Sequence, residues 1–206
     1  MKNYGFIPTL ITQDTPKYQV KKTQPIPMKF SYRPFLSPVG NQGQDPYCVP
    51  FSLSVWLNWK KNSKLGFKLD NHVKYGDIYN SKKSKGEGMT FQEAFDYLKS
   101  HGAKTDKGIV KIAEAGYITS PLLLKAAILA NGPCLGALPV YDSSQEMFWK
   151  KTQMKPEGYH AISIVGWTEK GYIIRNSWGT SFADGGYVVL PYGDTNSFCE
   201  LWTILG

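Results

Sequence analysis

Arginine is scarce in this sequence of 206 residues. Of its 24 basic residues only Arg33 and Arg175 are arginine, so the net charge of +8 at pH 7 comes almost entirely from lysine. Arginine makes the bidentate contacts by which proteins read base edges. The densest basic run, over residues 82–85, is short and is typical of a solvated loop. We therefore expect no specific nucleic-acid partner.

Long apolar runs are also missing. No stretch approaches the length of about 20 apolar residues that a membrane-spanning helix needs. The N-terminus lacks a continuous signal-peptide core, because Pro8 and the polar pair Gln13-Asp14 interrupt it. We therefore expect no membrane partner and no secretion by this route.

Cysteine is the third rare residue, with Cys48, Cys134 and Cys199 at wide and irregular spacing. This pattern is neither a disulfide framework nor a metal-binding motif. It favours a reducing, cytoplasmic location, and the lysine bias suggests a bacterial or viral source. We expect no metal and no cofactor. Cys134 and Cys199 are expected to be buried as small apolar side chains, whereas Cys48 has a different context.

Proline is concentrated before that cysteine. Residues 1–40 hold six of the 13 prolines and show no helical period, which predicts an extended N-terminal arm across the surface. From Cys48 to Lys61 the sequence is apolar on more than one face, as in a buried helix. Pro50 is tolerated only in the first turn of such a helix. Cys48 is therefore predicted at a helix N-terminus, where free N–H groups and the helix dipole favour a negative charge.

The rest of the chain divides into helices followed by strands. Thr90 and Glu93 form a capping-box pattern, and a further helix is predicted from Ser120 to Gly132. Beyond it lie short β-rich runs at 134–141, 159–167, 171–176, 186–190 and 198–204. This order predicts an α+β protein. We expect one domain over 41–206, with a helical lobe at about 45–132, an antiparallel, β-barrel-like lobe at about 133–206 and a cleft between them.

Three residues in this order suggest nucleophilic catalysis. A thiol attacks a carbonyl as the thiolate, which a helix N-terminus and a neighbouring imidazolium stabilise. Cys48 is the candidate nucleophile, His160 the base and acid, and Asn176 the amide that orients the imidazole. Gln42 is the candidate side-chain donor to the oxyanion, beside the Cys48 N–H.

These residues resemble the papain-like cysteine peptidases. Gln42-Gly43 precedes Cys48 by six positions, His160 opens a His-Ala-x-x-x-Val-Gly strand, and Asn176 opens Asn-Ser-Trp-Gly-Thr. The resemblance covers about 45 to 190 and implies the two-lobe fold of that family. It also departs from the usual pattern, because the cysteine upstream of the nucleophile is missing. The chain is thus identified as a divergent, short, disulfide-free member.

The resemblance also implies substrate-binding residues. Trp178 would lie against the histidine and shield it from water, and Tyr159 replaces the frequent Asp before the histidine. The loop expected to pair with a peptide substrate comprises Gly86, Glu87, Gly88 and Met89. Only residues 1–47 precede Cys48. We therefore expect either that no proteolytic activation is needed or that the arm covers the cleft.

The function predicted is peptide-bond hydrolysis through a thioester intermediate, on a peptide or protein substrate. Two alternatives stay open. A papain-like acyltransferase or transpeptidase would use the same residues but pass the acyl group to an amine. A catalytically silent basic module of the same fold would hold a partner in the cleft, although the presence of all four candidate residues argues against it.

Overall fold

The computed structural model describes residues 4–21, 24–65, 73–105 and 108–205. Its helices are α1 (Cys48–Leu65), α2 (Tyr75–Tyr79), α3 (Phe91–Ser100) and α4 (Leu124–Asn131). Its strands are β1 (Phe30–Ser31), β2 (Ala103–Thr105), β3 (Gly108–Val110), β4 (Glu114–Tyr117), β5 (Cys134–Val140), β6 (Gly158–Trp167), β7 (Gly171–Arg175), β8 (Tyr187–Pro191) and β9 (Glu200–Leu205). Short 3₁₀ turns occupy Arg33–Phe35, Pro121–Leu123 and Tyr192–Ser197.

Helix α1 is the central helix, and it begins at Cys48 as predicted. Pro50 lies in its first turn, where its missing N–H costs no hydrogen bond. The apolar side chains on its inner faces are buried, among them Leu53 and Trp56. The hydroxyl of Ser163 on β6 donates to the carbonyl of Ser52 at 2.9 Å and joins α1 to the sheet. This contact fixes the start of α1 against the strand that carries His160.

Helix α3 begins with the predicted capping box. The Thr90 hydroxyl accepts from the Glu93 N–H at 3.1 Å, and the Glu93 carboxylate accepts from the Thr90 N–H at 2.9 Å. The same carboxylate accepts from the N–H groups of Lys83 and Ser84 at 2.7 and 2.6 Å. One side chain therefore anchors both ends of the segment that contains residues 86–89.

The large sheet is antiparallel, with strand order β4-β9-β5-β6-β7-β8 and β1 paired to β6. Among the described strands, β4 and β8 are edges that do not pair with each other, so the sheet is open rather than a closed barrel. Strand β4 comes from the range predicted for the helical lobe but pairs with β9. The α+β two-lobe class is confirmed, with helices α1 to α3 on one side of the cleft.

The arm runs over the surface as extended chain. Its strand β1 pairs with β6 through Phe30 and Trp167, and Lys17 forms an isolated bridge with Tyr117. The Trp167 indole donates to the carbonyl of Pro27 at 3.0 Å. Within the described part of the arm, hydrogen bonds join residues close in sequence, as at Thr12–Thr15. The long-range contacts therefore hold the arm on the surface.

The described helices include none with the length and apolarity needed to cross a bilayer. The three cysteines carry no disulfide, and Cys48 and Cys134 are buried. The prediction of a buried Cys199 was wrong, because this residue is exposed at the turn that precedes β9. Its backbone N–H, but not its side chain, joins the sheet through Ala137.

Candidate active site

Cys48 lies at the first position of α1 and its side chain is completely buried. The preceding turn is held by a hydrogen bond from the Asp45 N–H to the Gln42 carbonyl at 3.1 Å. Gly43 in this turn has a φ of 61°, a conformation that suits glycine. The turn and the helix start together place Gln42 and Cys48 on one side of the cleft.

His160 and Asn176 lie on the other side, on β6 and directly after β7. Because these strands are hydrogen-bonded neighbours, the two side chains meet, and His160 Nε2 lies 2.7 Å from Asn176 Oδ1. The Ser177 N–H donates to the same oxygen at 2.7 Å. An amide oxygen only accepts, so His160 carries its proton on Nε2. This leaves Nδ1 as the ring nitrogen that does not contact Asn176.

Aromatic side chains surround this histidine. The rings of Trp178 and His160 have centroids 4.8 Å apart at 31°, and Phe148 meets the imidazole edge-on at 5.9 Å. Trp178 and Phe148 are both buried. The indole therefore covers the His160 ring, and a hydrogen bond shielded from water in this way is strengthened.

Gln42 is held by two defined contacts. Its Nε2 donates to the Asp45 carbonyl at 2.8 Å, and its Oε1 accepts from the Ser177 hydroxyl at 2.6 Å. These contacts fix which end of the amide is the donor, and the second N–H of Nε2 is the one available to an oxyanion. Ser177 was not singled out from the sequence, although it stands within the Asn-Ser-Trp-Gly pattern. It joins the Gln42 and Asn176 sides of the site.

The arm passes through the cleft. Gly5 bridges Tyr159 and Phe6 bridges Met89, both in parallel orientation. The Met89 N–H donates to the Gly5 carbonyl at 2.9 Å, and the Ile7 N–H donates to the Met89 carbonyl at 3.0 Å. The arm thus pairs with one residue of the predicted substrate loop and with the residue before the histidine.

A glycine at position 5 is required by this path. A Cβ on Gly5 would lie 2.0 Å from the Pro46 carbonyl oxygen, which is backbone and cannot move aside. The next residue, Phe6, is buried and its ring lies 5.1 Å from that of Phe91. Phe6 therefore anchors the arm while Gly5 lets it come close to the start of α1.

The closed cleft changes the chemistry of Cys48. Burial raises the pKa of its thiol to about 12, an effect that the N–H groups of Ala161, Val49 and Gly5 oppose only in part. This raised pKa favours the protonated thiol in the closed form.

The remaining predicted loop residues differ in their surroundings. Gly86 and Glu87 are exposed, and the Glu87 carbonyl accepts from the Tyr79 hydroxyl at 2.7 Å. Gly88 is half-buried and its carbonyl accepts from the Ser84 hydroxyl at 3.1 Å. Met89 is buried and carries the pairing with the arm. The structure thus brings Met89 and Tyr159 to the cleft.

We expect Gln42→Ala to lower kcat by about 10² to 10³-fold, because removal of one oxyanion donor costs this much in acyl-transfer enzymes. KM should change little, since the donor acts on charge that develops only in the transition state. Steady-state kinetics on protein freed of arm residues 1–11 measures both constants. Gln44→Ala, at an exposed position of the same turn, is the matched control. A loss in kcat of less than tenfold would contradict the role of Gln42 as the oxyanion donor.

Comparisons with known proteins identify the family of this chain. The model of the papain family of cysteine proteases matches residues 58–203, a range that includes His160 and Asn176 and begins after Cys48. The chain belongs to the papain family of cysteine proteases. The disulfide-free member predicted from the sequence has the three free cysteines described above.

Individual relatives match at low identity. Cysteine proteinase 3 of Entamoeba histolytica is 27% identical over 204 residues, which cover 85% of this chain and 66% of the relative. The gut-specific cysteine proteinase of Caenorhabditis elegans is 34% identical over 90 residues, which cover 40% of this chain and 27% of the relative. The chain thus spans less than two thirds of these relatives. Xylellain, a cysteine protease from Xylella fastidiosa, superposes with a TM-score of 0.83 at 19% identity over 98% of this chain and 96% of its own. This likeness shows that the fold is shared.

Proposed function

We propose that this protein is a cysteine peptidase that hydrolyses peptide bonds in peptide or protein substrates. The observation that carries the proposal is the buried 2.7 Å hydrogen bond between His160 and Asn176, opposite a cysteine at a helix N-terminus. Membership of the papain family supports the same reaction. The roles proposed are nucleophile for Cys48, base and acid for His160, orienting amide for Asn176 and oxyanion donor for Gln42.

The reaction follows from these roles. His160 takes the thiol proton of Cys48, and the sulfur attacks the carbonyl carbon of the scissile bond. The carbonyl oxygen becomes an oxyanion that accepts from the Cys48 N–H and from Gln42 Nε2. His160 then gives its proton to the leaving amine as the C–N bond breaks, which leaves a thioester. Water, deprotonated by His160, attacks the thioester and releases the carboxylic acid, and the thiol is restored.

Substrate entry requires the arm to leave. Met89 and Tyr159, which we propose as substrate-binding residues together with Gly86, Glu87, Gly88 and Trp178, are paired with the arm when the cleft is closed. A peptide cannot form these backbone hydrogen bonds while Gly5 and Ile7 hold them. We therefore propose that the chain alternates between a closed, inactive form and an open form that binds substrate.

A mixed peptide library, incubated with protein that lacks residues 1–11 and analysed by mass spectrometry, tests the function. We expect cleaved peptides with free carboxyl ends, and the same reaction with an added amine should yield few amide products. Predominant amide products would instead support the acyltransferase. Neither cleavage nor modification of Cys48 by an epoxide inhibitor under reducing conditions would support a silent binding module and contradict the proposal.

A further inference from the structure

A polar cavity lies behind the candidate site, between the first turns of α1 and the ends of β6 and β7. Its volume is about 320 Å³, which is large enough for a small ion and several water molecules. Its wall includes Ser52, Asn58, Ser163, Arg175, Asn176 and Ser177. Pro38 and Asn41 at its rim are exposed, so the cavity has a path to solvent.

Arg175 gives this cavity a positive charge. The side chain is only 7% exposed. Its guanidinium donates to the carbonyls of Ser37 and Pro38 at 2.6 and 2.8 Å and to the Tyr187 hydroxyl at 2.6 Å. All three acceptors are neutral, and no carboxylate of the described residues lies within 4.0 Å of it. A buried charge without a counterion is strongly unfavourable, so the site favours an anion.

Asn176 supplies a hydrogen-bond donor on the same wall. Its Oδ1 accepts from His160 and from the Ser177 N–H, so its Nδ2 is identified as the donor end. This residue is 4% exposed, and Nδ2 has no acceptor among the described residues. A buried N–H group without an acceptor destabilises the folded state. An acceptor in the cavity would remove this cost.

The other polar side chains named on the wall carry no negative charge that could neutralise Arg175. The hydroxyls of Ser52 and Ser163 already donate to the carbonyls of Val49 and Ser52. Asn58 is neutral, and its buried Oδ1 has no donor among the described residues. The wall therefore combines a cation and a free amide donor with neutral side chains.

We propose that this cavity, whose wall includes both Arg175 and Asn176, binds a small inorganic anion of the size of chloride or phosphate. The anion supplies the missing counterion and accepts a hydrogen bond from Asn176 Nδ2. Asn176 is then held in the orientation that the His160 hydrogen bond needs. Anion binding is measured by its effect on the thermal stability of the protein. It can therefore be tested whether or not the proposed peptidase function holds.

Thermal unfolding of the full chain tests the site. Chloride and phosphate are titrated against gluconate, which is too large for the cavity, at constant ionic strength. We expect a rise in Tm of about 3 to 5 °C once the small anion exceeds its Kd tenfold, since a ligand that binds only the folded state stabilises it by mass action. Equal Tm values in all three anions would mean that the cavity holds only water and would overturn the proposal.

Substitutions test whether the anion-dependent rise in Tm arises at the Arg175 cavity. Arg175→Gln should abolish the anion-dependent rise, whereas Arg33→Gln, at the other arginine, which is exposed, should keep it. Asn58→Asp places a carboxylate on the cavity wall, so it should raise Tm in gluconate and remove the response to chloride. This variant keeps the test informative if Arg175→Gln does not fold. A response in Asn58→Asp equal to that of the wild type would place the anions elsewhere.

Discussion

Deletion of residues 1–11 increases the rate at which an epoxide labels Cys48 at pH 7, and we expect the increase to be about 10³-fold. With the arm in place, burial raises the pKa of the thiol to about 12. A return to the ordinary value of about 8.5 raises the thiolate fraction at pH 7 by about three orders of magnitude. The deletion ends before the turn at Thr12–Thr15 and before Tyr18, which is buried in the core. Phe6 is the one core side chain among the described residues that the deletion removes. We therefore expect the remaining chain to keep its fold.

Gly5→Ala tests the same contact without shortening the chain. The added methyl group would meet the Pro46 carbonyl oxygen and displace the arm, so labelling should be faster than in the wild type. Gly193→Ala is the matched control, because a Cβ there meets nothing within 4 Å. Equal labelling rates in Gly5→Ala and the wild type would show that the arm does not limit access to Cys48.

The closed arm also has a predictable pH dependence. The pKa of Cys48 is raised in the closed form, so closure favours the protonated thiol. Closure is therefore fully stable below the open-form pKa of about 8.5 and weakens as the pH rises towards the closed-form value of about 12. Epoxide labelling of the full chain should accelerate across this range more steeply than labelling of the shortened chain.

Local sequence patterns predicted the parts of the site that depend on local structure. Pro50 limits where α1 can begin and so placed Cys48 at a helix N-terminus, and the Thr90–Glu93 pattern predicted the start of α3. His160 and Asn176 were assigned by their motifs, and the antiparallel pairing of β6 and β7 explains why they meet. These features depend on residues within one element or on two neighbouring strands.

The remaining features depend on contacts between distant parts of the chain. The pairing of Gly5 with Tyr159 joins residues more than 150 positions apart, and nothing in residues 4–7 indicates a cleft as their location. The cavity at Arg175 is likewise formed by α1, the arm and β7 together. The local sequence does not show whether Arg175 is buried or exposed. Only the fold shows that no carboxylate of the described residues lies beside it.

Cys48→Ala should reduce peptide hydrolysis by the shortened chain by on the order of 10⁶-fold, because a catalytic triad acts as a unit and its nucleophile cannot be replaced by water alone. Epoxide labelling should disappear as well. Binding of a peptide to the open cleft should persist, since the backbone groups of Met89 remain in place. Steady-state kinetics and mass spectrometry of the intact protein measure the first two effects.

The other two cysteines provide the controls for this substitution. Cys134→Ala removes a buried thiol from the sheet, and Cys199→Ala removes an exposed one. Neither side chain lies in the cleft, so both variants should keep the hydrolysis rate of the parent within about twofold, the range of small indirect effects. Hydrolysis by Cys48→Ala above about 1% of the parent rate would contradict the assignment of Cys48 as the nucleophile. Loss of hydrolysis in Cys199→Ala would contradict it as well.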